Sequence, residues 1–343
     1  MFEILLTICL GSAPAECRAE RLPGGDTLAS CREQARLAAA DHAAAEQVHD
    51  WPCVPAGAAP AFTVTEVAPG VFVHRGAIAE PSPNNRGDTA NLGFVIGADS
   101  VAVIDTGTTP EIGAALRQAI RAETDLPIRW VILTHMHPDH VLGASAFLAD
   151  GAAILGHHKL EQALANRAET YREGLGDLLA RSYAAGDVVL PTESVADRHT
   201  VDLGGRRLDL TAHPTSHTDN DLTVLDRQTG TLFAGDLVFL GHIPAIDGSL
   251  LGWLQTLKAL SESPAARVVP GHGPAAAPWP EGAQPTATYL ADLAEQIRAA
   301  IRAGKPMLQT AREIASQRPA GWSLDRLFHA RNATAAYKEL EWE

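Results

Sequence analysis

The sequence has few cysteines, no excess of positive charge and no long apolar run. Lysine and arginine number 27 against 41 aspartate and glutamate residues, which gives a net charge of −14. A chain this acidic is poorly suited to bind the phosphate backbone of a nucleic acid or an anionic membrane surface. The longest strongly apolar stretch, residues 4–10, is far shorter than the roughly 20 residues that cross a bilayer. We therefore expect no nucleic-acid partner and no membrane span.

Cysteine is confined to the N-terminal segment, at positions Cys9, Cys17, Cys31 and Cys53. An even number of thiols in a short stretch predicts disulfides, with three possible pairings, and an oxidising compartment such as a periplasm. Residues 4–10 also resemble the apolar part of an export signal, although the usual basic residues before it are lacking. We expect a periplasmic or exported protein. The alternative is a cytoplasmic protein with reduced thiols.

Composition and periodicity divide the chain into three parts. Residues 1–58 form a small cysteine-containing segment, a possible signal or disulfide module, which ends in a linker rich in proline and glycine. Residues 59–280 alternate between apolar strands and helical patterns, which predicts an α/β fold. Residues 281–343 carry an amphipathic helical stripe and are expected to form a helical extension packed on the α/β body. That stripe consists of Leu290, Leu293, Ile297 and Ile301.

The main chemical signal directly follows an apolar strand, where three histidines and an aspartate fall within six residues. These residues are His135, His137, Asp139 and His140. Neutral imidazole and carboxylate are ligands that suit Zn²⁺. In an extended turn, His135 and His137 point to the same side, because side chains alternate with a period of two. Four such ligands are too many for one zinc ion that keeps an open position, so the cluster predicts two metal ions.

Further ligands for two ions must come from later loops, and three candidates stand next to predicted strands. His217 lies in a polar loop before a strand, Asp236 ends the apolar run 231–236, and His272 follows the apolar run 268–270. A carboxylate at the end of a buried strand is costly unless it is paired or bound to a metal. These positions are therefore expected to converge on the histidine cluster.

Taken together, these motifs resemble the metallo-β-lactamase superfamily, and Asp105-Thr106-Gly107 after a strand is a further match. The resemblance covers about residues 62–275 and implies an αββα sandwich with the site at one edge. It also implies a division of the ligands between two Zn²⁺ ions. His135, His137 and His217 would hold the first ion. Asp139, His140 and His272 would hold the second, with Asp236 bridging. Asp105 would orient one of these ligands.

The activity expected from this resemblance is hydrolysis, in which a metal-bridging hydroxide attacks the carbonyl of a small-molecule ester, thioester, lactone or amide. Asp139 and Asp236 are the predicted catalytic carboxylates. Related β-lactam hydrolases mostly carry Cys or Ser where this chain has Asp236, which favours hydrolases of thioesters and lactones. Three alternatives stay open: a β-lactam hydrolase, a sulfur dioxygenase with one iron ion, and an inactive binding module.

Within the superfamily, the order of segments is similar to the quinoprotein relay system zinc metallohydrolases. The supporting stretches are 83–91 and 243–249, together with the N-terminal cysteines. This similarity implies a functional link to a periplasmic quinoprotein dehydrogenase system. Outside the predicted ligands, three residues are candidates for supporting or substrate-side roles: His213, His242 and Tyr171.

Overall fold

The N-terminal part contains a small sheet and one helix. The computed structural model describes residues 2–9, 17–25, 27–42, 47–50, 53–55, 62–82, 84–178 and 188–343. The elements of this part are β1 (Phe2–Cys9), β2 (Cys17–Gly25), α1 (Leu28–His42), β3 (Gln47–Asp50) and β4 (Cys53–Pro55). Strand β1 pairs antiparallel with the other three strands. Ile4 packs on the buried side of α1 to form a small core of its own.

A seven-stranded sheet begins the main body, with the spatial order β11-β10-β9-β8-β7-β6-β5. Its strands are β5 (Val64–Ala68), β6 (Val71–His74), β7 (Leu92–Ile96), β8 (Val101–Ile104), β9 (Ile128–Ile132), β10 (Ala153–His157) and β11 (Glu193–Val195). The helices between them are α2 (Pro110–Glu123), α3 (Pro138–Val141) and α4 (Leu160–Leu178), with a 3₁₀ helix at Ala144–Asp150. Strands β8 to β11 run parallel to one another, and β5 to β8 are antiparallel.

A six-stranded sheet follows, with its strands in sequence order from β12 to β17. The strands are β12 (Arg198–Asp202), β13 (Arg207–Ala212), β14 (Leu222–Asp226), β15 (Thr231–Phe239), β16 (Arg267–His272) and β17 (Ala277–Pro278). The helices are α5 (Leu250–Leu260), α6 (Gln284–Arg302), α7 (Met307–Ser316) and α8 (Asp325–Leu340), with a 3₁₀ turn at Glu281–Ala283. Only the β15–β16 pair is parallel in this sheet.

The two sheets pack face to face because their strands are apolar on both sides. In β8, Val101 and Val103 face the helices of the first layer, whereas Ala102 and Ile104 face the second sheet. This alternation follows from the period of two in a strand. A third apolar cluster joins the second sheet to helices α5, α6, α7 and α8. The result is the predicted αββα sandwich, in which two sheets are flanked by helices.

The C-terminal helices share a core with the second sheet. Trp253 of α5 and Leu290 of α6 are fully buried in the same cluster as Val238 of β15 and Ala336 of α8. The boundaries expected from the sequence, at residues 1–58, 59–280 and 281–343, stay predictions. Among the described helices, none combines the length and the apolar character that a bilayer span requires.

Candidate metal centre

The predicted ligands meet at one end of the two sheets. His135 and His137 follow β9, whereas Asp139 and His140 belong to α3. The remaining three come from the second sheet: His217 from the loop before β14, Asp236 from β15 and His272 from the end of β16. Their candidate donor atoms form two groups, and within each group all these atoms lie within 4.8 Å of one another. The groups are His135, His137, His217 and Asp236 on one side, and Asp139, His140 and His272 on the other.

The first group is centred on His137. Its Nδ1 atom lies 3.1 Å from His135 Nε2 and 3.0 Å from His217 Nε2. The Asp236 Oδ2 atom approaches the same two imidazoles, at 3.7 Å from His135 Nε2 and 3.4 Å from His217 Nε2. Three ring nitrogens and one carboxylate oxygen therefore face a common centre.

Asp236 also faces the second group, so it stands between the two. Its Oδ1 atom lies 3.2 Å from His140 Nε2, and its Oδ2 atom lies 3.4 Å from His272 Nε2. Asp139 Oδ2 is 3.4 Å from His272 Nε2 and 3.9 Å from His140 Nε2. Asp236 therefore lies between the two groups, and its role as a bridge between two ions stays a prediction from the family resemblance.

The backbone leaves room for Asp236 at one position on β16. A Cβ atom at Gly271 would lie 1.9 Å from Asp236 Oδ1 and 2.8 Å from the Gly235 carbonyl carbon. These distances are far below any real Cβ contact. The glycine next to His272 is thus needed so that two neighbouring strands can each present a ligand to the same centre.

The titration behaviour of the cluster follows from burial and from its carboxylates. Burial lowers the pKa of His135, and it lowers the pKa of His217 to about 3, so both rings are neutral near pH 7. Burial alone would raise the pKa of Asp236, but the charges of His272 and His140 outweigh it and hold that pKa well below the usual value. Burial disfavours protonation of His140 and His272 as well, but the nearby carboxylates outweigh it and raise the pKa of both rings. An ionised Asp236 beside the neutral His135 and His217 is ready to bind a cation, which would displace protons from His140 and His272.

Two buried polar atoms in the cluster support a fit to cations. Within the described residues, His140 Nε2 and Asp236 Oδ1 are buried and lack a hydrogen-bond partner, although they lie 3.2 Å apart. Buried polar atoms without partners are rare because they cost free energy. Imidazole nitrogen and carboxylate oxygen are also a donor set that divalent zinc accepts. The residues present therefore fit divalent metal ions.

Protein atoms fix the second nitrogen of each imidazole, which sets the tautomer and the ring orientation. Asp105 Oδ2 lies 2.8 Å from His140 Nδ1 and also accepts a hydrogen bond from the Thr134 hydroxyl. Asp105 thus contacts a predicted ligand, and its φ of 59° places it in the left-handed region; its orienting role stays a prediction. His272 Nδ1 donates to the Thr89 carbonyl at 2.9 Å.

The segment 243–247 supplies two more of these contacts, which were not predicted individually from the sequence. His217 Nδ1 donates to the Ala245 carbonyl at 2.7 Å, and His137 Nε2 lies 3.1 Å from Asp247 Oδ2. The segment is held in turn by helix α8. The Asn332 amide donates to the Pro244 carbonyl at 2.6 Å and accepts from the Ile246 amide at 3.0 Å.

The three other candidate residues have different positions. Tyr171 of α4 donates its hydroxyl hydrogen to the Met136 carbonyl at 3.0 Å, so it supports the loop between the first two histidines. The His242 ring lies 4.8 Å from the His272 ring and lines the cavity at the cluster. His213 instead interacts with the Thr223 hydroxyl at 2.8 Å and lines another cavity, so its expected role gains no geometric support.

A cavity of about 410 Å³ opens at the cluster. Its walls come from the segment at Ala79–Pro81, from the cluster itself, from the segment 245–247 and from α8. Helix α8 contributes Phe328, Arg331 and Asn332. Sequence reasoning treated this helix only as a packed extension and missed these three residues, because no motif marks them.

Comparison with known proteins defines the family. Residues 85–272, more than half of the chain, match the metallo-beta-lactamase superfamily. The chain belongs to that superfamily. The match begins before β7 and ends at His272, so it contains all seven residues of the cluster.

Among curated proteins, the chain is similar to the acyl-coenzyme A thioesterase MBLAC2 of Homo sapiens, with 30% identity over 187 residues. This alignment covers 49% of the chain and 62% of the human protein. The beta-lactamase-like protein 2 homolog of Caenorhabditis elegans is 28% identical over 174 residues, which is 50% of the chain and 52% of that protein. The chain thus spans less than two thirds of each of these relatives.

Two solved structures share the fold. TMB-1 superposes with a TM-score of 0.53 at 21% identity, over 68% of the chain and 98% of that structure. A metallo-beta-lactamase from Pontibacter korlensis gives a TM-score of 0.55 at 21% identity, over 67% of the chain and 99% of that structure. At this identity the likeness concerns the fold of the superfamily alone.

Proposed function

We propose that this protein is a hydrolase of small acyl thioesters that holds two Zn²⁺ ions in the cluster described above. The observation that carries the proposal is the position of Asp236, which faces both groups of ligands. An aspartate here favours thioester and lactone hydrolysis over β-lactam hydrolysis, as argued from the sequence. The similarity to a thioesterase also supports the thioester.

The division of the cluster supports two ions. Three imidazoles and Asp236 surround one centre, and Asp139, His140 and His272 form a second. When bound there, two divalent ions lower the pKa of a water molecule and polarise the carbonyl of the substrate. The chain's own part is to hold these ligands in fixed tautomers and to exclude bulk water from the buried imidazoles.

Of the two predicted catalytic carboxylates, Asp139 is the better placed to act on the substrate. Its side chain is 18% exposed toward the cavity, whereas that of Asp236 is 4% exposed. The Thr89 hydroxyl lies 3.4 Å from Asp139 Oδ2 and restricts its orientation. Asp139 would therefore orient the attacking water and accept its proton. A thiol leaves readily as a thiolate, because its pKa is about 8.5, so the departing group needs little assistance from an acid.

The test combines metal content with a substrate panel. We expect about two zinc ions per chain by elemental analysis, and faster turnover of thioesters than of lactones or β-lactams. Chelation should abolish this activity, and added Zn²⁺ should restore it. One iron ion per chain with O₂ consumption would instead identify a dioxygenase, and preferred turnover of a β-lactam would identify a lactamase. His137→Ala should lose metal and activity, whereas His199→Ala, at an exposed position on β12, serves as the matched control.

The assignment to the quinoprotein relay system zinc metallohydrolases is part of this proposal, as is the link to a periplasmic quinoprotein dehydrogenase system. Both stretches on which the similarity rests contact the cluster, one through Thr89 and the other through Ala245 and Asp247. A periplasmic location would be tested by cell fractionation. Disulfides among the N-terminal cysteines are also part of the proposal and would be tested by thiol labelling before and after reduction.

A further inference from the structure

Helix α8 brings a single guanidinium group to the cavity at the cluster. Arg331 is the only lysine or arginine among the residues that line this cavity in the described part of the chain. Four carboxylates line it as well: Glu80, Asp139, Asp236 and Asp247. The cavity therefore combines four acidic side chains with one guanidinium group, a permanently charged cation.

The polar atoms of Arg331 have no partner within the part of the chain that the structure describes. Over the described residues it forms no hydrogen bond and no ion pair, so its five N–H donors remain available. The Arg331 guanidinium carbon lies 5.6 Å from the centre of the Phe328 ring, a cation–π distance. The Phe328 ring in turn lies 5.3 Å from the His242 ring. This contact between Arg331 and Phe328 connects the guanidinium to the wall of the cavity.

The four carboxylates do not neutralise this guanidinium. Asp139 and Asp236 belong to the cluster, and Asp247 faces His137. Glu80 is the remaining acid. Burial and the charge of Asp139 raise its pKa, while the charges of Arg331 and His272 oppose the increase. Glu80 thus lies within electrostatic range of Arg331, but the two form no ion pair among the described residues.

We infer that Arg331 binds an anionic group of the substrate, a carboxylate or a phosphate, at a site away from the bond that is hydrolysed. Guanidinium matches both anions because its planar fork can donate two parallel hydrogen bonds. A guanidinium with free donors, in the same cavity as the predicted catalytic carboxylates, can give specificity for the charge at one end of a substrate. The inference rests on the proposed function and adds that the preferred thioester carries negative charge.

The experiment compares three acetyl thioesters that differ in the charge of the thiol. These are the thioesters of N-acetylcysteamine, which is neutral, of 3-mercaptopropionate, which carries a carboxylate, and of coenzyme A, which carries phosphates. In Arg331→Gln, the ratio of kcat/KM for an anionic substrate to kcat/KM for the neutral one should fall about 10- to 100-fold, mostly through KM. Arg331→Lys should retain part of the preference. The substrate whose ratio falls more identifies the anion.

The matched control is Arg326→Gln, which removes an exposed arginine from the same helix outside the cavity. This variant should keep the wild-type ratio. An Arg331→Gln enzyme with the wild-type ratio for both anions would overturn the inference and leave the thioesterase proposal standing.

A binding measurement separates the inference from the proposed function. Calorimetry on the zinc-loaded protein would compare 3-mercaptopropionate with its neutral amide, in the wild type and in Arg331→Gln. We expect the wild type to prefer the carboxylate, and the substitution to remove that preference. If no thioester is hydrolysed, the proposed substrate is wrong, and this pair of affinities still decides whether Arg331 selects an anion. Equal preference in both proteins would refute it.

Discussion

The side chain of Asn332 holds the Pro244 carbonyl at a hydrogen-bond distance of 2.6 Å, although 88 positions separate the two residues. The same side chain accepts a hydrogen bond from the Ile246 amide at 3.0 Å and donates one to the Tyr289 hydroxyl at 2.9 Å. Ala245 lies between Pro244 and Ile246, and its carbonyl accepts a hydrogen bond from His217 Nδ1. Helix α8 therefore acts on His217, a predicted metal ligand, through the segment 243–247.

Replacing Asn332 with leucine keeps the branched shape, makes the side chain somewhat larger and removes these hydrogen bonds. We expect a stability loss of about 1–3 kcal/mol, because buried backbone groups lose their partners. Zinc affinity should also fall about 10-fold or more, because His217 is no longer held. Competition with a coloured chelator measures the affinity, and urea unfolding measures the stability. Thr334→Val, on the same helix, is the control. Lower stability with wild-type zinc affinity would mean that Asn332 acts only on folding.

Asp247→Asn tests the contact with His137. The hydrogen bond to His137 is the main cause that lowers the pKa of Asp247, so a carboxylate stands against that imidazole near pH 7. A neutral amide of the same shape should make His137 a weaker ligand and reduce zinc affinity about 10-fold. The exposed Asp197→Asn is the matched control. Zinc titrations that give one affinity for the wild type and for Asp247→Asn would rule out this role.

Asp236→Asn removes the charge between the two groups of ligands. The amide retains the size of the side chain, so the fold should persist, as judged by circular dichroism. Bound zinc should drop below two per chain, and thioesterase activity should fall at least about 100-fold. The prediction fails if elemental analysis finds the full zinc content in the variant.

The buried pair of Arg206 and Asp226 predicts a pH dependence of stability away from the metal centre. Two hydrogen bonds, of 3.1 and 2.6 Å, join the side chains, and Arg206 also donates to the Ile96 carbonyl of the other sheet at 2.9 Å. Burial raises the pKa of Asp226, but the hydrogen bonds from Arg206 and Thr229 and the charge of Arg206 together outweigh burial and leave that pKa below its usual value. The folded-state pKa is thus lower than that of the unfolded chain.

The pair therefore stabilises the protein above the unfolded-state pKa of about 3.9, and this contribution disappears as the pH falls through the lower folded-state value. Asp226→Asn should cost about 3–5 kcal/mol near neutral pH, since Arg206 stays buried without its partner. The difference between wild type and variant should shrink in acid. Unfolding in urea at several pH values checks this, with the exposed Asp202→Asn as a control expected to change stability by less than about 1 kcal/mol. A difference independent of pH would contradict the assignment.

The sequence was informative where local spacing determines geometry. His135, His137, Asp139 and His140 lie within one turn after a strand, so their grouping follows from chain connectivity. His272 lies at the end of a strand, as expected, whereas Asp236 lies inside β15, because this strand continues to Phe239 alongside β16. The alternation of apolar strands and helices predicted the α/β class, and the resemblance to the superfamily implied the αββα sandwich.

Other parts of the site depend on tertiary packing that no short pattern encodes. Asp247 reaches His137 across 110 positions, and α8 reaches the segment 243–247 only because it packs on the second sheet. His213 was a candidate for a supporting role, but its ring contacts the Thr223 hydroxyl, whereas the His217 ring faces His137.

The lack of a side chain at Gly271 bears on which residues can replace Asp236. A methyl group at position 271 would overlap with Asp236 Oδ1, so this side of the carboxylate is closed. A longer glutamate at position 236 would therefore have to extend its carboxylate into the cavity at the cluster. Shorter residues such as serine or cysteine meet no such wall. Evolution or redesign can therefore shorten the side chain at position 236 more easily than lengthen it.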